Sequence, residues 1–264
     1  MKDLKILILS TYYEKPNMVR NALQTILNNN ETYKNWELAF IDDGSIKKGR
    51  PVVEEILKDH LDKVKFYYTN DSIEKKLSRG GSFFGQYMNK SIEESDAEIC
   101  FWLMDDDFLF DDYFFNLNKW FNENKDEYIC CCNWMRYFIP SNNVEIWTAY
   151  NKERNRTKGG IWSVAWRTEC NKMGGVKFPY PLTISLDSPY MKDLYDKYGV
   201  PQLRGKRNYG NFFMSCKTEY QGNLSSIYTR GERKIDTYND IRDISINMNY
   251  ILDKKFSNPF FRYD

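Results

Sequence analysis

Short apolar runs alternate with segments of helical periodicity in the first part of this 264-residue chain, and no other feature constrains the fold as strongly. Alternation of strands and helices requires crossover connections, which place the strands parallel to one another and collect the loops that follow them at one edge. We therefore predict an α/β fold with a Rossmann-like, mostly parallel sheet flanked by helices. The predicted strands are Leu4–Leu9, Trp36–Ile41, Val64–Tyr68 and Ile99–Met104. The predicted helices between them are Asn17–Asn28, Pro51–His60 and Gly81–Ser95, with a polar loop over Asn70–Arg79.

The second half of the chain is less regular, and its pattern predicts a different organisation. A helix is predicted near Ser188-Pro189, because serine favours the N-cap position and proline the first helical position. We predict one domain over residues 1–200, with a regular half (1–110) and a less regular half (111–200), and an irregular C-terminal extension (201–264) packed on it. The other predicted segments are helix Asp112–Asn124, strand Tyr128–Arg136, a hairpin through Ile139–Trp147, a basic loop over Lys152–Lys158 and an apolar segment over Ile161–Arg167.

Composition excludes several broad classes of protein. Lys and Arg number 38 against 37 Asp and Glu, so no overall field attracts nucleic acid or anionic membranes. No apolar stretch approaches the roughly 18 residues of a membrane span, and we expect no transmembrane segment. The six cysteines form no CxxC pair, which argues against structural zinc, and the amino terminus does not read as a signal peptide. These features predict a cytoplasmic location.

Three consecutive aspartates, Asp105, Asp106 and Asp107, follow the buried run Ile99–Met104 directly. Ligands of open α/β sheets bind at the carboxyl ends of the strands, and carboxylates there are hard oxygen ligands for a divalent cation. Adjacent carboxylates also repel one another unless a cation lies among them. The alternative interpretation is a solvated acidic turn that precedes the next helix.

Four strand-end loops together supply the groups that a nucleoside diphosphate and a metal require: an aromatic face, acceptors for a base or ribose, cations for phosphate and carboxylates for a divalent ion. Each loop taken alone can also be ordinary turn chemistry. Neither GxGxxG nor GxxxxGK[ST] follows the first strand, which disfavours a dinucleotide dehydrogenase or a P-loop NTPase. The loops carry Ser10-Thr11-Tyr12-Tyr13, Asp42-Asp43, the cations Lys75, Lys76 and Arg79, and Asp105–Asp107.

The order of these segments resembles the successive signatures of family 2 glycosyltransferases, which have the GT-A fold. The resemblance covers roughly residues 3–200 and is carried first by Ile6–Tyr12, Leu38–Ser45 and Leu103–Asp107. It continues downstream through Trp166-Arg167, Met173–Val176 and Leu186–Ser188. The resemblance implies that residues 1–110 are the nucleotide-binding half of the domain and residues 111–200 its acceptor half.

The resemblance implies roles for individual residues. Tyr12 would border the base of a nucleotide-sugar with Ser10 and Thr11 nearby, and Asp43 would accept a hydrogen bond from the imide of the base. Arg79 would help to hold the nucleotide. In the DxD motif, Asp105 would face the ribose or the metal, Asp107 would bind the Mn²⁺ or Mg²⁺ that bridges the diphosphate, and Asp106 would be an accessory ligand.

The resemblance also implies the catalytic base, Asp187, which would take a proton from the acceptor hydroxyl as that oxygen attacks the anomeric carbon. Read without the family, Asp187 is equally compatible with the chemistry of a helix start. The chain departs from the family pattern at two places. Leu186 stands where the family often has glutamate, and no histidine follows His60 to serve as an extra metal ligand. Glu219 and Gln221 are candidate substitutes for that histidine.

These observations predict a metal-dependent, inverting glycosyltransferase that moves a sugar from a nucleoside-diphosphate sugar, with a UDP-sugar favoured, to a saccharide hydroxyl. The alternatives are a nucleotidyltransferase of related fold and a non-catalytic nucleotide-sugar-binding protein. For the acceptor, Trp162 and Trp166 are either an aromatic platform or part of the core. Basic residues leave a modified nucleic acid open as a second acceptor class: Lys152, Arg154, Arg156, Lys158, Arg204, Lys206, Arg207, Arg230, Arg233 and Lys234.

Overall fold

The computed structural model describes residues 1–79, 81–138, 143–147, 150–151, 156–157, 161–180, 187–199 and 214–219. The strands are β1 (Ile6–Tyr12), β2 (Trp36–Asp42), β3 (Val64–Tyr68), β4 (Ile99–Met104), β5 (Phe108–Leu109), β6 (Ile129–Cys131), β7 (Asn133–Phe138), β8 (Asn143–Trp147), β9 (Tyr150–Asn151), β10 (Arg156–Thr157), β11 (Val164–Arg167) and β12 (Met214–Glu219). The α-helices are α1 (Pro16–Asn30), α2 (Arg50–Ile56), α3 (Ile73–Ser78), α4 (Phe84–Glu94), α5 (Tyr113–Glu123) and α6 (Asp187–Tyr198).

Six strands form the central sheet in the order β3-β2-β1-β4-β11-β6. The first four are parallel, while β11 is antiparallel to both β4 and β6. The register pairs Tyr12 with Asp42, Asp42 with Tyr68, and Thr11 with Met104. The carboxyl ends of these strands therefore lie side by side, and the mostly parallel sheet predicted from the sequence is confirmed.

Helices cover both faces of this sheet because successive side chains of a strand point to opposite faces. Ile6 and Ile8 of β1 belong to an apolar cluster with residues of α1, α2 and α5. Leu7 and Leu9 belong to a second cluster with residues of α4 and α6. These four side chains of β1 are all buried, which explains why this part of the strand reads as a continuous apolar run.

Three local predictions differ from the structure. The helix predicted over Pro51–His60 ends at Ile56, and a 3₁₀ helix follows over Lys58–Lys63. The predicted loop Asn70–Arg79 contains α3, since the Ser72 hydroxyl accepts the backbone N–H of Lys75 in its first turn. The predicted strand Tyr128–Arg136 is divided between β6 and β7, which belong to different sheets.

A second sheet lies in the order β5-β12-β7-β8 and includes residues from the C-terminal segment. Strand β12 is antiparallel to β5 and parallel to β7, so residues 214–219 pair with strands that belong to the first 200 residues. The domain boundaries at residues 110 and 200 stay predictions. Within the described residues, no helix has both the length and the apolar character needed to cross a membrane.

Candidate active site

Backbone hydrogen bonds join three strand ends into one site. The N–H of Tyr13, just beyond β1, donates to Oδ2 of Asp105 at 2.8 Å. The N–H of Asp43, just beyond β2, donates to the carbonyl oxygen of Tyr12 at 2.9 Å. The predicted residues Tyr12, Asp43 and Asp105 are therefore neighbours, as expected for the carboxyl edge of a parallel sheet.

Two aspartates of the triplet lie around a buried lysine ammonium group. Nζ of Lys15 lies 2.6 Å from Oδ1 of Asp105 and 2.6 Å from Oδ2 of Asp106. Asp105 and Asp107 are buried, at 6% and 3% exposure, and Lys15 is 3% exposed, which rejects the interpretation of a solvated acidic turn. Burial raises the pKa of Asp105 to about 6; Lys15 opposes this rise and the Asp106 charge adds to it.

Asp43 is fixed by donors from three separate segments. Its Oδ1 accepts hydrogen bonds from Thr69 Oγ1 at 3.1 Å and from Ser82 Oγ at 2.5 Å. Its Oδ2 lies 2.9 Å from Nζ of Lys76, which also donates to the Asp43 carbonyl oxygen. Burial raises the pKa of the Asp43 carboxyl group, and Lys76 and the two hydroxyl groups counteract part of the rise.

The cations predicted to bind phosphate each pair with a carboxylate. Lys76 is 1% exposed and pairs with Asp43, and its ammonium group lies 4.0 Å from the ring centre of Tyr13. Nη2 of Arg79 lies 2.5 Å from Oδ1 of Asp71, and Nζ of Lys75 lies 3.1 Å from the same oxygen. Burial alone would raise the pKa of Asp71, but these two cations hold it below its ordinary value.

At the end of β1, Ser10 and Tyr12 are buried and Thr11 between them is half-buried. The Tyr12 ring is buried and stacks on Phe40 with ring centres 5.7 Å apart, and its hydroxyl donates to the carbonyl oxygen of Lys47 at 2.5 Å. Thr11 Oγ1 accepts from Trp102 Nε1 at 3.0 Å, and Ser10 is buried. Contact of these three residues with a base stays a prediction.

Helix α6 begins at Asp187, and its first turn is anchored to the sheet. The Tyr190 ring stacks on Phe178 at 3.9 Å between ring centres, and Phe178 contacts Trp102 of β4 edge-on at 6.0 Å. Asn171 donates a hydrogen bond to the Tyr190 hydroxyl at 2.8 Å. The start of α6 is thereby tied to the strand that ends in the aspartates. The Asp187 side chain lies outside the described residues, so its role stays a prediction.

Trp166 belongs to the same aromatic cluster and not to an acceptor platform. Its side chain is fully buried, its ring lies 5.6 Å from that of Tyr190, and its Nε1 donates to Asn171 Oδ1 at 2.6 Å. The core alternative for Trp166 is therefore correct. The side chain of Trp162, the residues Leu186 and Gln221, and most of the predicted basic residues lie outside the described part of the chain.

The donor set suits a divalent cation that is held jointly with a substrate. Within the described residues, no group of three His, Cys, Asp or Glu side chains is placed to hold a metal. Mg²⁺ is commonly bound by one or two carboxylates together with substrate phosphates, and the buried carboxylates Asp105 and Asp107 fit that arrangement. Strand β12 runs antiparallel to β5, which starts directly after Asp107. It therefore runs toward the triplet, and it ends at Glu219.

Sequence reasoning did not identify Lys15, Thr69 or Ser82. Lys15 immediately precedes Pro16 at the start of α1, where it reads as an ordinary surface lysine. Its ionic partners are about 90 positions later in the chain, and no spacing rule links them. For Lys76, the sequence places its loop among the strand ends but does not indicate its contact with Asp43.

The comparisons with known proteins concern the family and the fold of the chain. The family profile described as Glycosyl transferase family 2 matches residues 6–179, which is more than half of the chain. No curated protein matches the chain. Similarity to solved structures is at the level of the GT-A fold. TarS 1–349 of S. aureus in complex with UDP-GlcNAc has a TM-score of 0.59 at 15% identity, over 84% of this chain and 61% of that one.

A mannosyltransferase, PcManGT from Pyrobaculum calidifontis in complex with GDP-Man and Mn²⁺, has a TM-score of 0.52 at 12% identity, over 82% of this chain and 57% of that one. A longer TarS structure has a TM-score of 0.53 at 12% identity, over 82% of this chain. This chain spans 36% of that TarS chain and 61% of TarS 1–349, and is thus shorter than the proteins it resembles. With the strand-end site and the family match together, the chain belongs to glycosyltransferase family 2.

Proposed function

We propose that this protein transfers a sugar from a nucleoside-diphosphate sugar to a hydroxyl acceptor with inversion, and that it requires a divalent metal, Mn²⁺ or Mg²⁺. The observation that carries the proposal is the hydrogen bond from Tyr13 N–H to Asp105. It joins the end of β1 to the buried aspartate triplet, next to Asp43. A family 2 glycosyltransferase with this arrangement has the groups for a base, a ribose and a metal-bound diphosphate at one sheet edge.

Asp43 would recognise the base. Its carboxylate is held in one orientation by Lys76, Thr69 and Ser82, and it would accept a hydrogen bond from a ring imide. Uracil and guanine both present such an N–H, and the similar structures contain UDP-GlcNAc and GDP-Man. We favour a UDP-sugar as donor, with Ser10, Thr11 and Tyr12 bordering the nucleotide and Arg79 helping to hold it.

The metal, when bound, would neutralise charge that develops on the leaving diphosphate. Asp107 and Asp105 would hold it, with Asp106 as accessory. Asp187 would take the proton from the acceptor hydroxyl, and attack on the face opposite the diphosphate would invert the anomeric centre. The burial of Asp105 and Asp107 supports their proposed role at the metal, because it keeps water away from these two carboxylates.

The acceptor that we propose is a saccharide hydroxyl, with a modified nucleic acid as the second class. The aromatic residue Trp166 is unavailable to stack on an acceptor sugar because it is fully buried. The cytoplasmic location stays a prediction.

The test is a turnover assay with UDP-glucose, UDP-GlcNAc and GDP-mannose in the presence of Mn²⁺. Release of nucleoside diphosphate, dependent on metal, is the expected result. If the donor is instead consumed only when pyrophosphate is added, giving the nucleoside triphosphate and the sugar 1-phosphate, the nucleotidyltransferase alternative is favoured. Nucleotide binding without any donor consumption would favour a non-catalytic binding protein.

A further inference from the structure

Lys15 is an internal cation at the aspartate triplet. Its backbone is fixed at the start of α1, where its carbonyl oxygen accepts the N–H of Val19 at 3.0 Å. Its side chain is only 4% exposed and brings the ammonium within 2.6 Å of both Asp105 and Asp106. Its side chain therefore has a fixed place beside two of the three carboxylates.

Lys15 contacts two of the three aspartates of the triplet, so their carboxylates have different surroundings. Asp105 has one oxygen on the Lys15 ammonium and the other on the N–H of Tyr13, and Asp106 shares the same ammonium. One positive charge thus already opposes two of the three carboxylates, while the buried carboxylate of Asp107 lies next to them in sequence. A divalent cation that enters the triplet meets repulsion from the ammonium, and it must compete with Lys15 for Asp105 and Asp106.

We propose that Lys15 is the resident counter-ion of the triplet and sets its low intrinsic affinity for divalent metal, so that tight metal binding requires the phosphates of the nucleotide. Lys15 acts here as a positioning residue: it holds the carboxylates in place in the metal-free protein and limits how strongly they attract free Mn²⁺. The inference rests on the proposed function only in taking the triplet as its metal site.

The experiment compares two variants that differ only at Lys15. Lys15→Met alone would leave two buried carboxylates without their counter-ion and can fail to fold. The matched pair is therefore Asp106→Asn and the double variant Asp106→Asn with Lys15→Met, in which one positive and one negative charge are removed together. Binding of free Mn²⁺, without nucleotide, is measured on both by electron paramagnetic resonance.

The double variant should bind Mn²⁺ at least about tenfold more tightly than Asp106→Asn, because the repelling charge is absent. Mn²⁺ should also raise the Tm of the double variant more than that of Asp106→Asn, since at one concentration the ligand that binds the folded state more tightly stabilises it more. Equal or weaker Mn²⁺ binding by the folded double variant would overturn the role of Lys15. That result would not contradict metal-dependent turnover by the wild type. Absence of Mn²⁺ binding in the wild type even with UDP would instead contradict the metal site itself.

Discussion

The ammonium group of Lys76 lies 2.9 Å from Oδ2 of Asp43, and both side chains are buried at the end of β2. Removing one partner of such a pair leaves an uncompensated charge in the interior, which typically costs about 3–5 kcal/mol. Asp43→Asn and Lys76→Met should each lower the free energy of unfolding by about that amount. The double variant should lose less than the sum, and urea denaturation of the four proteins measures this coupling. Strictly additive losses would show that the two groups do not interact.

The pairing of Asp71 with Arg79 and Lys75 predicts a pH-dependent contribution to stability. Because the folded-state pKa of Asp71 is lowered, its contribution is present above the unfolded pKa of about 3.9 and is lost as pH falls through the folded pKa. Asp71→Asn should therefore destabilise the protein at pH 7, and the difference from wild type should shrink below about pH 4. Urea denaturation at several pH values measures it, with the exposed Asp62→Asn as control. A difference that does not change with pH would contradict the ionic account.

Gly44 follows β2, and Gly174 is a matched control for testing how closely the backbone at Gly44 approaches its neighbours. Both have positive φ, +74° and +82°. A Cβ atom at Gly44 would lie 2.2 Å from the carbonyl oxygen of Asp71, whereas at Gly174 it meets no heavy atom within 4 Å in the described part of the chain. Gly174→Ala should cost about 1 kcal/mol from backbone strain alone. Gly44→Ala should cost clearly more, because the loop beside Asp43 must also move. Similar Tm losses for the two variants would argue against this close approach.

Asp187→Asn tests the proposed catalytic base. The variant should bind the donor with nearly normal affinity but turn it over at least about 100-fold more slowly, the scale of a lost general base. Asp193→Asn, an exposed residue of the same helix, is the matched control and should retain wild-type turnover. Normal turnover by Asp187→Asn would exclude it as the base.

The sequence predicts the sheet well because each parallel strand is buried on both faces and therefore reads as a continuous apolar run. The same logic placed Asp43 and Asp105 together, since the loops after parallel strands share one edge. It failed where the structure depends on side-chain partners. Helix α3 was predicted as loop because its stabilising contacts, from Ser72 and Asp71, are polar and leave no apolar periodicity.

Tyr12 and Lys15 show the same limit at the site. The motif indicates Tyr12 as a residue beside the base, and it does not indicate that the ring packs on Phe40 in the core. Lys15 drew no attention, although it carries the positive charge that an isolated aspartate triplet requires. Partners far apart in sequence follow from tertiary packing, which the local pattern does not encode.

Calorimetry of UDP and GDP binding, with and without Mn²⁺, tests the central claim that these strand ends bind a nucleoside diphosphate together with a divalent metal. The account predicts that at least one of the two binds the wild type, that affinity falls sharply when EDTA removes the metal, and that Asp107→Ala abolishes the metal-dependent part. Nucleotide affinity that is the same with Mn²⁺, with EDTA and in Asp107→Ala would contradict it.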